Sequence, residues 1–525
     1  MPASSRSRTA RKGFDADAYE QRIEGFLAEL EEEEYRNGAG LKDDLALAPI
    51  YERHAALFAR SAVDALRDRV TAGGDEADRI RALLAFATDG FLLRAVAPLT
   101  DAVATAESRA AIVWRGERIP YRAAQPRISA ISDRGERNAL FASWLQAVEA
   151  INPLRLDRLQ QMEALVVELG YRDYVEFVAV TRGWDPDALG VSAREALVAT
   201  ETGYFASMRR AMAVVGIEQG DGTLADAWHV LRGAGWDGWF PARSMLPVLE
   251  STFSGLGMRL RDDGTTLDVE PRPGKESRAF CSVIRAPGDV RLVVNPHGGW
   301  EDYRTGLHEA GHLVHFANVD PALPTWARLL GDASVTEGYA MAFDALTGDA
   351  DWLAAQLGMP EEEARAFCDF MALTGLHRIR RLAAMHLSEL SLYRGGPDAV
   401  HRATFAGTYG LLTGVQVPDA LYLFFVDDAM YRGSYLRAMM LGGAVDEAMA
   451  NRHGAGWWRD ATAGAELREL LGHGLGWSPE RVVASLGYDA LDWRPVLRKI
   501  RTQLIGEMSG YGGPNITTRA GTRKI

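Results

Sequence analysis

The chain is 525 residues long, 47% hydrophobic and 25% charged, with a formal net charge of −13. These are the proportions of a large globular protein with its own core, and the acidic balance argues against nucleic acid and anionic membrane surfaces as partners. Two cysteines, Cys281 and Cys368, make no disulfide framework, which fits a reducing, cytoplasmic setting, and no run is expected to reach the ~18 apolar residues of a membrane span.

In chain order, residues 1–13 are basic with no apolar stretch behind them and read as a disordered tail, not a secretory signal. Residues 14–235 read as a helical lobe. Tyr19 to Tyr35 carries Ile23, Phe26, Leu27 and Leu30 at helical spacing, with a glutamate run on the other face. Leu45–Val70, Asp75–Ala95, Ser129–Ile151 and Arg155–Leu169 continue the pattern, with Asn152-Pro153 as punctuation between the last two. Gly233 to Pro247 marks the passage to a second lobe, 236–506. Strand-like alternation begins there, at Met258–Arg261 and Thr265–Val269, and returns at 279–284 and 290–295 around the turn Arg285–Asp289, which predicts a small sheet. Helices resume from 305 to about 505, and a Gly-rich tail is expected over 507–525. The fold class is mostly α, two lobes with a small sheet.

The chemistry concentrates just after that sheet, in Thr305 to Ala317, which contains His308-Glu309-Ala310-Gly311-His312. Residues i and i+4 of a helix share one face, so two imidazoles there can bind one Zn²⁺, and the glutamate beside the first can take a proton from water. Leu307, Leu313, Val314 and Phe316 make the helix largely buried, and buried ionisable groups need partners. The third ligand is not the histidine that would follow after H-E-x-x-H-x-x-G, because His315 and Asn318 stand at those positions. Glu337, 25 residues past His312, is the candidate; Pro321 and Pro324 end the first helix and leave room for a turn. Ser334 to Glu337 also reads as a capping box, so two readings stand for that glutamate. Asp344, seven residues on, shares its helical face and is either the orienting partner of a ligating imidazole or a solvated residue before Thr347-Gly348.

His308 to His315, followed by Glu337, resembles the gluzincin metallopeptidases of the thimet oligopeptidase and oligoendopeptidase F family, peptidase family M3. That family's core is H-E-x-G-H-x-x-H, and Gly311 and His315 both match it. The likeness extends to Ala279–Ile284 and Arg291–Asn295 upstream, and downstream to Tyr431-Arg-Gly-Ser-Tyr435-Leu and Glu466–Gly474. It covers roughly 279 to 490. It implies a two-lobed helical zincin with one Zn²⁺ held by His308, His312 and Glu337, Glu309 as the base, and His315 packed behind the site. It also implies oxyanion-stabilising tyrosines, for which Tyr435 and Tyr431 are the matching positions, and a strand edge at 279–284 that pairs with a substrate backbone. Two departures stand out: Arg432 replaces a tyrosine three residues before Tyr435, and Leu423 stands where the family has a histidine.

The expected function is a zinc metallopeptidase acting on short peptides, of unknown oligomeric state. Two other readings remain open. One is a zinc-dependent hydrolase of a non-peptide amide or dedicated metabolite, which Leu423 and Arg432 favour. The other is a non-catalytic metal- or ligand-binding protein, which Glu309 argues against. Arg432 itself reads either as an oxyanion or carboxylate ligand or as a solvated arginine.

Overall fold

The structure, a computed structural model, describes residues 14–70, 73–397 and 399–505. Both expected tails lie outside the described residues. The described residues are mostly helical, with two small sheets among them.

The first long helix, Ala16–Gly38, begins where Asp15 caps it by accepting from the Ala18 N–H, and buries Tyr19, Ile23 and Phe26 as the apolar spacing predicts. Asp75–Arg109 runs past the expected end at Ala95 and carries Pro98 internally. Against the expectation that no segment is apolar enough to cross a membrane, this helix passes on length and composition, with a window of mean hydropathy 1.5. Half of that window is buried in the molecule, and Leu83, Leu84, Ala87 and Val96 sit in the core.

Asn152-Pro153 does not break the chain: Arg134–Glu168 is one helix with the proline inside. Tertiary bonds outweigh the local penalty. Asn152 donates to the Ala420 carbonyl at 2.8 Å, and the Arg155 guanidinium reaches both the Val148 carbonyl and Asn152 Oδ1 at 3.2 Å.

A hairpin the sequence did not announce, β1 (Ala111–Trp114) and β2 (Glu117–Pro120), turns through Arg115 and Gly116, both at positive φ. Met258–Arg261 forms no strand. The second sheet has the order β3 (Thr265–Asp268), β5 (Asp289–Val293), β4 (Phe280–Arg285); β3 runs parallel to β5 and β4 antiparallel to it. β4 is therefore an edge strand, and helix 16–38 packs beside it.

Two apolar clusters dominate. One gathers the N-terminal helices with residues 372–440 and 493–500. The other surrounds the sheet and the helix Trp300–Ala317. The second holds Leu307, Leu313 and Val314 almost wholly buried, which fixes the rotation of that helix and so the direction of its polar face.

Candidate active site

Four helices build the site. The helix Trp300–Ala317 supplies His308, Glu309 and His312; Ala333–Asp344 supplies Thr336, Glu337 and Asp344; Tyr431–His453 supplies Tyr431 and Tyr435; and Glu361–Gly395 passes behind them. Close approach of the first two depends on glycine. A Cβ on Gly311 would lie 2.7 Å from the Ala340 Cα, backbone that cannot yield. On the other side, a Cβ on Gly442 of the tyrosine helix would lie 2.8 Å from the Gly338 carbonyl oxygen. Small residues thus set three helices close enough to share one site.

The two imidazoles stand perpendicular, with ring centroids 4.8 Å apart. Each is oriented through Nδ1: His308 by Asp344 Oδ2 at 3.1 Å, His312 by Thr336 Oγ1 at 2.8 Å. Both Nε2 atoms then face Glu337 Oε2, at 3.2 and 4.0 Å. The potential ligand atoms of His308, His312 and Glu337 all lie within 4.8 Å of one another.

Glu337 Oε2 is buried and has no well-aligned hydrogen-bond donor, while Oε1 accepts from the Tyr431 hydroxyl at 3.1 Å. The capping-box reading of Ser334 and Glu337 fails. Asp332 is the cap, accepting from the Ser334 N–H, and Ser334 is buried within the helix. Asp344 is likewise buried, not solvated.

Electrostatics mark the same point. Burial works against a charge on His308, but the Asp344 and Glu337 carboxylates outweigh it and raise its pKa to about 9. Burial and the neighbouring His308 charge push His312 down to about 4. One positive charge is thus drawn to the place where the Nε2 atoms and Glu337 meet. Two imidazole nitrogens and a carboxylate oxygen, each ring held by a partner on its other nitrogen, are a donor set suited to a divalent cation such as zinc.

Glu309 does not join that set. Its Oε2 accepts from the Cys281 N–H of β4 at 3.1 Å, and its pKa is raised to about 7 by burial first and by the nearby carboxylates.

Tyr431 and Tyr435 meet edge to face at 5.1 Å, and both line a cleft of about 990 Å³ whose walls also include Thr336, Asp332, Arg182 and Arg437. Among the described residues the Tyr435 hydroxyl has no hydrogen-bond partner; burial raises its pKa to about 12.

Other candidates lie elsewhere. His315 is fully buried against Phe316 and Tyr339, and burial holds its pKa near 3. Arg432 is committed to the preceding loop, donating to the Phe425 carbonyl at 2.9 Å and to Asp427 at 3.2 Å, so it is neither solvated nor a free oxyanion donor. Leu423 is core.

The expected substrate edge, β4, is an edge strand as required. In this conformation, however, the Cys281 N–H meets Glu309 and the Val283 N–H meets Glu31 Oε2 at 3.3 Å. Thr336 was missed by sequence reasoning; its only signal is that it precedes Glu337.

No protein-family model matches the chain, and no curated protein sequence does. Solved structures do. The M32 carboxypeptidase of Deinococcus radiodurans R1 is 16% identical with a TM-score of 0.61, over 93% of this chain and 98% of that one. The metallocarboxypeptidase 1 of Trypanosoma cruzi is 13% identical with a TM-score of 0.59, over 93% and 98%. A provisionally assigned oligoendopeptidase F is 14% identical with a TM-score of 0.61, over 95% and 93%. At these identities the likeness is one of fold, and it extends over nearly the whole chain.

Proposed function

We propose that the chain is a zinc-dependent metallopeptidase that hydrolyses short peptides. The observation that carries this reading is the convergence of His308 Nε2, His312 Nε2 and Glu337 Oε2, with the Glu309 carboxylate on the next residue of the same helix. Zinc held by those three residues would act as a Lewis acid toward the scissile carbonyl and acidify water.

The chain's own groups do the rest. Glu309, held by the Cys281 N–H, takes the proton of the attacking water and passes it to the leaving amine. Its raised pKa of about 7 suits both transfers. Asp344 and Thr336 keep the imidazoles in the tautomer that presents Nε2. Tyr435, whose hydroxyl has no other partner among the described residues, donates to the developing oxyanion. Tyr431 steadies Glu337 and can add a second donor.

The relatives in fold include carboxypeptidases and an oligoendopeptidase F, which supports peptide chemistry on this scaffold. The core position of Leu423 is the one observation that keeps a dedicated non-peptide amide in view. Incubation of the zinc-loaded protein with a mixed peptide library, followed by mass spectrometry, tests the proposal. Cleavage products that vanish with Glu309→Gln are expected; an intact library with zinc bound would move the reading to the non-peptide amide.

A further inference from the structure

A group of arginines stands behind the site with too little negative charge to balance it. Arg304 lies one turn before His308 on the same helix, over the buried Trp300 ring at 5.7 Å, and its Nε is buried without a hydrogen-bond partner. Arg378 and Arg381, three residues apart on Glu361–Gly395, share a face of that helix. Arg378 Nη1 comes only to 3.8 Å from Asp344 Oδ2. Arg381 makes no hydrogen bond or ion pair with any described residue.

The neighbouring Arg380 shows what a structural arginine looks like on this helix. It is buried, and although its Nε is as unpartnered as that of Arg304, its Nη atoms donate to the Leu197 and Leu412 carbonyls and it lies over the Tyr204 ring.

The three arginines feel one another. Burial comes first for both; the charges of Arg304 and Arg381 then lower the pKa of Arg378, and those of Arg432 and Arg304 lower that of Arg381 against the opposing effect of Tyr409. The carboxylates within reach are Asp344 and Asp427, and both are occupied: Asp344 holds His308, and Asp427 is paired with Arg432 at 3.2 Å. Counting Arg432, four guanidiniums meet two carboxylates. Glu389 adds little negative charge at neutral pH, since burial raises its pKa to about 8. Like charges held together out of bulk water cost free energy unless a counter-ion meets them.

The cluster also has access to solvent. Arg304, Arg378 and Arg381 are each only half-buried, although His377, Ile379 and Leu382 beside the last two are buried. Tyr435 and Asp427, which line the cleft, are among the groups near enough to act on Arg378 and Arg381 respectively, after the closer Asp344 and Tyr409.

We propose that Arg304, Arg378 and Arg381 form an anion subsite that binds a carboxylate of the substrate beside the candidate metal centre. The inference rests on the peptidase reading and narrows it to substrates with a carboxylate close to the scissile bond. Planar guanidiniums match that group in shape and charge. Two sources share the chemistry: a free C-terminal carboxylate, and an acidic side chain next to the bond.

Matched peptides decide between them. One pair ends in a free carboxylate or a carboxamide; the other carries Glu or Gln beside the scissile bond. The kcat/KM of the zinc-loaded protein is compared with that of Arg304→Gln, Arg381→Gln and Arg381→Lys, each checked by thermal melting. Kd is measured by calorimetry in the Glu309→Gln background, where binding does not depend on turnover.

One pair should differ by on the order of 10²-fold in the parent protein. That ratio should collapse in both glutamine variants and return in part in Arg381→Lys, and the responding pair identifies the source of the carboxylate. Equal handling of both pairs overturns the subsite, and so does a ratio that persists in the glutamine variants. If no peptide is cleaved but carboxylate-dependent binding is lost in the arginine variants, the peptidase reading fails and the anion subsite stands.

Discussion

Replacing Glu309 with glutamine exchanges one carboxylate oxygen for an amide nitrogen at almost no change in volume, which makes it the sharpest single-residue test. An amide cannot accept the water's proton, so turnover should fall at least ~10²- to 10⁴-fold, while zinc content and melting temperature hold. Zinc measured by elemental analysis beside activity reads both halves. The ligand set is tested the same way. His312→Ala and Glu337→Ala should each lose stoichiometric zinc, and full retention in both would remove them from the set. Asp344→Asn and Thr336→Val act one step back, on the Nδ1 atoms at 3.1 and 2.8 Å. Outer partners of this kind are worth about 10- to 100-fold in metal affinity, which competition with a chelator measures. Tyr435→Phe removes the one tyrosine hydroxyl here without a partner. The expected result is a loss on the order of 10²-fold in kcat with KM little changed; a change confined to KM would make it a ground-state contact instead.

At the scale of elements, the site depends on how closely three helices pack, and Gly311 is where that is tested. An alanine there would set its Cβ 2.7 Å from the Ala340 Cα. Backbone must move, at a cost of roughly 1–3 kcal/mol for such overpacking, and Glu337 moves with it. Gly311→Ala should therefore lower both the melting temperature and zinc affinity. An unchanged zinc affinity would show that the glutamate helix can slide without consequence. The same contact explains what the sequence made legible. The i, i+4 histidines, the buried face of Leu307, Leu313 and Val314 and the glutamate 25 residues on are local patterns, and the helices and the sheet beside them follow from periodicity. What was not legible depends on partners distant in sequence. The Asn152-Pro153 helix holds because Ala420 and Arg155 compensate it, and the hairpin turns on Arg115-Gly116 without the usual Asn-Gly. Asp332 takes the cap that Ser334 seemed to offer, and Arg432 finds its partners in a loop whose course the sequence does not give. Thr336 and the arginine cluster have meaning only once separate helices are brought together.

For the molecule as a whole, the geometry limits what can reach the site. The cleft that borders the site at Thr336, Tyr431 and Tyr435 is about 990 Å³, the upper end of what a small-ligand pocket occupies and far below the size of a folded domain. Its walls include helix-borne groups such as Arg182, Tyr174 and Arg437 that are themselves bonded: Arg182 pairs with Asp89 at 2.7 Å and Arg437 with Asp332 and Glu480 at 2.8 and 2.6 Å. These partly buried ion pairs tie elements of the cleft wall to one another, and pairs of this kind are unfavourable to separate. An extended chain needs no such separation. Backbone pairing along β4 would require it to displace the Glu31 carboxylate of the neighbouring helix from the Val283 N–H and to share the Cys281 N–H with Glu309. The expected outcome is cleavage of unstructured peptides of roughly five to twenty residues, a span suited to strand addition along one short edge, with stably folded proteins resistant. Rates on a length series of one peptide sequence, run beside a folded globular standard and the same standard after unfolding, measure this. The unfolded standard should be cut and the folded one spared. Equal cleavage of the two would mean that the cleft opens wide enough to admit a folded chain.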